Sequence, residues 1–110
     1  MCYHNVLVEE YVRKDGSSPF GTWFETLDPL AAAKVSVAVS RMEMGNTSNI
    51  RWFRGIGECR IHWGPGYRIY LARDGEALLV LLGGSTKKDQ QPAIERALSM
   101  HAEYKSRKEH

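Results

Sequence analysis

Arg60, His62, Arg68 and Tyr70 flank a Gly64-Pro65-Gly66 turn, and these residue types at this spacing could handle a phosphodiester. Side chains alternate between the faces of a strand, so Glu58, Arg60 and His62 share one face, as do Arg68 and Tyr70 on the next strand. Reading Gly64-Pro65-Gly66 as a three-residue hairpin loop pairs Trp63 with Tyr67, Ile61 with Ile69 and Cys59 with Leu71, which gathers the polar side chains opposite an apolar face. A guanidinium keeps its charge at any working pH, and its forked donors match phosphate oxygens, which makes Arg60 and Arg68 the first candidates for charge stabilisation. Lys87 and Lys88 follow Gly83-Gly84, where the backbone can approach a ligand closely and a lysine could reach a phosphate or serve as acid or base. His62 could shuttle a proton, as imidazoles do, and Tyr70 could stack on an unpaired base. Arg51, Trp52 and Arg54 interleave basic and aromatic groups, a pattern suited to RNA contact.

Each candidate has a plainer reading. Arg60 or Arg68 could pair with Glu58, the lysines could form a solvated turn, His62 could be a surface strand residue, and Tyr70, Trp52 or Phe53 could be packing groups. His4, His101 and His110 show no metal-ligand spacing, and Cys2 and Cys59 form no paired thiolate motif.

The elements that must position these residues are legible as patterns. Asp74-Gly75 signals a two-residue type I′ turn, pairing Arg73 with Glu76, Leu71 with Leu78 and Ile69 with Val80. A three-stranded antiparallel meander results, whose last strand, Ala77 to Leu82, is apolar on both faces and therefore interior, with Leu79 and Leu81 beneath or beside the Arg/Tyr face and in need of partial cover. His4 to Tyr11 predicts an earlier strand. Ser18-Pro19 and Asp28-Pro29 are cap signatures that open two helices. The first has an apolar stripe of Phe20, Trp23, Phe24 and Leu27, the second one of Leu30, Ala33, Val37 and Met44 ending at Gly45, and together they predict a helical hairpin. Ile50 to Gly57 is strand or loop, and Gly83 to Lys88 is a loop. Asp89 or Gln91 caps a last helix with Ile94, Ala97, Leu98, His101 and Tyr104 inward, fraying from Arg107 to His110. The predicted order is β-α-α-β-β-β-α.

A chain of 110 residues with 43% hydrophobic residues fits a single domain over residues 1–110. The net charge of +2 does not by itself announce a nucleic-acid binder, but residues 51–88 hold 7 Lys+Arg against 3 Asp+Glu, whereas residues 1–50 hold 4 against 6. Two cysteines make no disulfide framework, and the absence of a signal-like start or a long apolar span points to the cytoplasm and away from a membrane.

The order of elements, together with Gly57-Glu58-Cys59-Arg60, Gly64-Pro65-Gly66-Tyr67-Arg68 and Leu81-Leu82-Gly83-Gly84 followed by Lys87-Lys88, resembles the RelE/ParE superfamily of type II toxin–antitoxin toxins over nearly the whole chain. More narrowly, it resembles the HigB-like, phage-derived addiction-module killer proteins. The resemblance implies an α+β fold with an antiparallel sheet of about four strands, and a toxin neutralised by a helix-turn-helix, HigA-like antitoxin. It implies no cofactor, no metal, and no sequence-specific DNA binding by the toxin alone. RelE-like members are metal-independent endoribonucleases that cut messenger RNA on the ribosome and leave a 2′,3′-cyclic phosphate, which would make Arg60, Arg68, Lys87 and Lys88 catalytic and Arg51, Trp52, Arg54, His62 and Tyr70 RNA-binding. ParE-like members instead inhibit DNA gyrase without cutting anything, and fold alone does not choose between these activities. Well-known RNase members place a tyrosine or histidine just after the last strand, where this chain has Ser85, Thr86 and lysines.

Overall fold

The computed structural model describes residues 6–108, so Cys2, His4 and His110 lie outside the described residues. Five strands and three helices follow in the order β1 (Leu7–Glu10), α1 (Pro19–Phe24), α2 (Pro29–Glu43), β2 (Ile50–Phe53), β3 (Ile56–Ile61), β4 (Tyr67–Asp74), β5 (Leu78–Thr86) and α3 (Gln90–Lys108). The fold is α+β as expected, but the sheet has five strands rather than four and is mixed, in the order β1-β5-β4-β3-β2. β2 through β5 are antiparallel, whereas β1 lies parallel to β5 with Leu7 opposite Leu78. The segment that read as strand or loop is β2, joined to β3 by Arg54 and Gly55, which both take positive φ (53° and 87°), as a two-residue type I′ turn requires.

Both cap signatures hold. Ser18 Oγ accepts from the Gly21 N–H at 3.0 Å and Asp28 Oδ1 from the Ala31 N–H at 2.9 Å, with proline at the first helical position each time. α2 ends in a Schellman arrangement: Gly45 N donates to Met42 O and Asn46 N to Arg41 O. α1 makes its main contacts with β5, and α2 with β1 and β3. Phe20 is buried with Trp23, Phe24 and Leu27 against the same core, as their spacing predicts. The stripe assigned to the inside of α2 is wrong. Ala31, Val35, Ala38 and Met42 are buried, while Leu30, Val37 and Met44 are 67%, 49% and 78% exposed. α2 carries apolar residues on two faces, and periodicity alone could not say which one meets the sheet.

Two apolar layers sandwich the sheet. α1 and α2 cover one face over Ile50, Cys59, Ile69, Leu71, Leu79 and Leu81; α3 covers the other over Ile56, Tyr70, Ala72, Val80 and Leu82. The β3–β4 hairpin pairs Ile61 with Tyr67 and Cys59 with Ile69, so its loop is two residues longer than read, a shift that leaves every side chain on its expected face. The β4–β5 pairing differs by an odd number. Leu71 faces Leu81 instead of Leu78, and a bulge at Tyr70/Leu71 lets Tyr70 face Gly83. Leu79 and Leu81 therefore lie under α1 and α2, not beneath the Arg/Tyr face.

Gly83 through Thr86 continues β5 and is not a loop. Glycine is needed at Gly84 for close approach, since a Cβ there would lie 2.2 Å from the Trp23 ring. α3 starts at Gln90, making Asp89 its cap position, and it does not fray through Lys108: the Arg107 guanidinium donates to Val12 O at 2.7 Å and Lys108 Nζ pairs with Asp74. Among the described residues no helix is long and apolar enough to cross a membrane.

Candidate functional site

β3 and β4 set Arg60 directly opposite Arg68, with Glu58 opposite Tyr70 beside them on the same face. Glu58 is 1% exposed, and its carboxylate accepts from Arg60 Nε at 2.8 Å and from Gln90 Nε2 at 2.9 Å, so the strand arginine neutralises it and the first turn of α3 satisfies its second oxygen. Tyr70 is wholly buried, its hydroxyl 3.1 Å from Ser85 Oγ, and burial pushes its phenol above the ordinary tyrosine range. It therefore stays neutral and cannot stack on a base.

Arg68 is 6% exposed, and its Nε is buried with no hydrogen-bond partner among the described residues. Its Nη1 fills the space beside Gly66, 3.2 Å from where a Cβ would stand, and the Lys87 Cβ takes the neighbouring space at 3.5 Å. The Lys87 N–H donates to Gly66 O at 2.9 Å, which ties the segment after β5 to the start of β4. Arg60, Arg68 and Lys87 thus converge at one corner of the sheet by the start of α3, with Lys88 exposed next in the chain. A buried donor without an acceptor is costly to the folded protein. The arrangement can hold a phosphate and stabilise added negative charge on it.

A second feature opens on the other side of Arg60. β2 covers the edge of β3 only from Ile56 to Cys59, so Arg60 and Ile61 have an open edge. Beside it lies a groove of about 520 Å³, walled by Lys34, Val37 and Arg41 of α2, by Arg51 and by His62 and Trp63. Lys34 Nζ sits 5.7 Å from the centre of the Trp63 ring, which stacks on Tyr67.

The RNA-binding set read from the sequence does not form one surface. Arg51 and His62 line this groove. Trp52 lies on the opposite face, 43% exposed, folded over Gly57 and covered by the Arg73 guanidinium at 5.5 Å. Arg54 is at the β2–β3 turn, paired with Glu95 at 3.1 Å. Tyr70 is a packing group. Sequence reasoning missed Gln90, Lys34 and Arg41. The helical spacing of Lys34 and Arg41 was the available signal, hidden because their face of α2 was assigned inward. Among the described residues no group of three or more His, Cys, Asp and Glu side chains could hold a metal ion.

No known family model matches the chain. Over 80 residues, 71% of this chain and 81% of the relative, it is 38% identical to an uncharacterized protein of Haemophilus influenzae. At that identity and coverage, this chain belongs to the same family as the Haemophilus influenzae protein.

Proposed function

We propose that this chain is the toxin of a type II toxin–antitoxin pair and acts as a ribosome-dependent messenger RNA endonuclease. The observation that supports this most is the Arg68 side chain, its buried Nε unpartnered among the described residues, directly across from Arg60, with its Nη1 and the Lys87 Cβ both beside Gly66. In the proposed reaction the ribose 2′-oxygen gives its proton to solvent water as it attacks phosphorus, the bond from phosphorus to the 5′-oxygen breaks, and that oxygen takes up a proton. The products are a 2′,3′-cyclic phosphate and a 5′-hydroxyl. Arg68 and Arg60 hold the phosphorane charge, and Lys87 or Lys88 supplies the proton to the leaving oxygen. An enzyme whose RNA is oriented by the ribosome needs no deep pocket of its own.

One observation favours the second reading, gyrase inhibition. Arg60 Nε is engaged by Glu58 and Tyr70 is buried, so part of the polar face is occupied structurally. Primer extension on a reporter message after brief expression separates the two. Cuts within the reading frame only when the message is translated, lost in Arg68→Met, support the nuclease; intact RNA with loss of DNA supercoiling refutes it.

A further inference from the structure

The outward face of α2 repeats at seven-residue intervals. Leu30, Val37 and Met44 recur once per heptad with the small residues Ala33 and Ser40 between them, which is the pattern of a helix–helix seam. All three large side chains are about half to three-quarters exposed among the described residues. The inward face of α2 is already satisfied by Ala31, Val35, Ala38 and Met42, so this second stripe does nothing for the sheet. Along one flank run Lys34 and Arg41, which face the groove shared with Arg51, Arg60 and His62.

We infer that this face docks an acidic amphipathic helix of a partner protein, its apolar side on Leu30, Val37 and Met44 and its carboxylates over Lys34, Arg41 and the groove. The charge pattern selects this occupant. A second copy laid antiparallel would oppose Lys34 and Arg41 to themselves, and RNA in the groove would have no use for the apolar stripe. From Leu30 to Met44 the seam is about 21 Å long at the α-helical rise, so it accepts two heptads of partner. An isolated helix that short is marginal in water, so the segment orders on binding or belongs to a folded protein. The inference stands whether or not the nuclease reading holds.

The test titrates the isotope-labelled full chain with a designed 21-residue helical peptide carrying leucine and alanine on its seam and glutamate on both flanks, and with the same peptide carrying lysine on its flanks. The expected result is amide shifts confined to α2 and the groove for the acidic peptide only. Val37→Glu should weaken its binding about tenfold or more, the range of a seam anchor. The double variant Lys34→Glu/Arg41→Glu should reverse the preference in favour of the basic peptide, a gain that misfolding could not produce. Equal response to both peptides, or none to either, overturns the inference. So does a dimer in sedimentation that Val37→Glu abolishes, which would assign the face to a second copy. Binding of a single-stranded RNA 12-mer in the groove, unaffected by Val37→Glu and competing with the acidic peptide only through charge, would assign it to nucleic acid.

Discussion

Replacing Arg68 by methionine tests whether this residue serves the fold or a ligand, because the two roles predict opposite signs for stability. Arg68 is 6% exposed and its Nε has no acceptor among the described residues. An unpartnered buried polar group costs about 1–3 kcal/mol. A like charge directly opposite, here Arg60, adds about 0.2–1 kcal/mol of destabilisation. Against these stands Glu58, which loses a positive neighbour but keeps Arg60 Nε at 2.8 Å and Gln90 Nε2 at 2.9 Å. Methionine preserves an unbranched, adaptable stem and leaves little cavity, whereas alanine would remove the packing as well and confuse the comparison. The balance is a gain of about 1 kcal/mol, or about 4–8 °C in Tm for a chain of this size. Calorimetry and urea unfolding measure it, alongside growth inhibition on expression. The expected pairing is a more stable protein that has lost its toxicity. A loss of about 1 kcal/mol or more in both unfolding assays would show that Arg68 holds the sheet together, and any loss of toxicity would then say nothing about phosphate.

Three further outcomes are expected. Gly84→Ala puts a methyl within 2.2 Å of the Trp23 ring and should cost about 1–3 kcal/mol, most of it recovered in a Trp23→Leu background; an equal cost in both backgrounds would refute the contact as the cause. The Asp74 carboxyl is held below its ordinary range by Lys108 and then Tyr104, and the Glu103 carboxyl by Arg13 and then Tyr11, so their contribution is present above the ordinary carboxylate pKa and fades as pH falls through the lowered values. The hydrogen bond to Asp74 pushes Tyr104 up to about 12, so its contribution is complete below the ordinary tyrosine pKa and is lost as pH rises towards that value; hydrogen exchange should show the C-terminal half of α3 loosening at both extremes before the strands do. The Cys59 thiol is pushed up by burial and should resist alkylation in the native protein, while labelling readily in urea as located by mass spectrometry.

What could be read from the sequence follows the reach of each signal. The caps of α1 and α2 and the Gly45 stop depend on neighbours within a turn, so the chain states them openly. The placement of Arg60 and Arg68 on one face survived an error in loop length because a shift of two residues preserves the faces of a strand, although it moved the partner of Arg60 from Tyr70 to Arg68. The β4–β5 register did not survive, since Asp74 pairs with Leu78 across three loop residues where Asp74-Gly75 reads as a two-residue turn, an odd shift that reverses the faces up to the bulge at Tyr70/Leu71. Gly83-Gly84 reads as a turn by composition; the reason for glycine, Trp23 lying across the strand, comes from a residue far away in the chain. The same limit hid the parallel placement of β1 and the two-sided character of α2, where Leu30, Val37 and Met44 are as periodic as the residues beneath them. Burial of Tyr70 and the pairing of Gln90 with Glu58 depend on where α3 docks, which no spacing within α3 reveals.

The pairing of β1 with β5 fixes an order of assembly. Among the described residues β1 has no sheet neighbour except β5, so Leu7 waits for Leu78 and the residues after it to be synthesised. The hairpins from β2 to β4 close over short distances and can form early, whereas joining the first strand to the last closes a long loop. The cationic corner is later still, because Lys87 and Gln90 follow β5 and one Glu58 oxygen lacks its donor until α3 arrives. A nascent chain would therefore carry Arg60 and Arg68 past the ribosome without the residues that complete their corner. For a protein proposed to attack translating ribosomes, that order would keep it harmless to the ribosome making it until its last helix emerges.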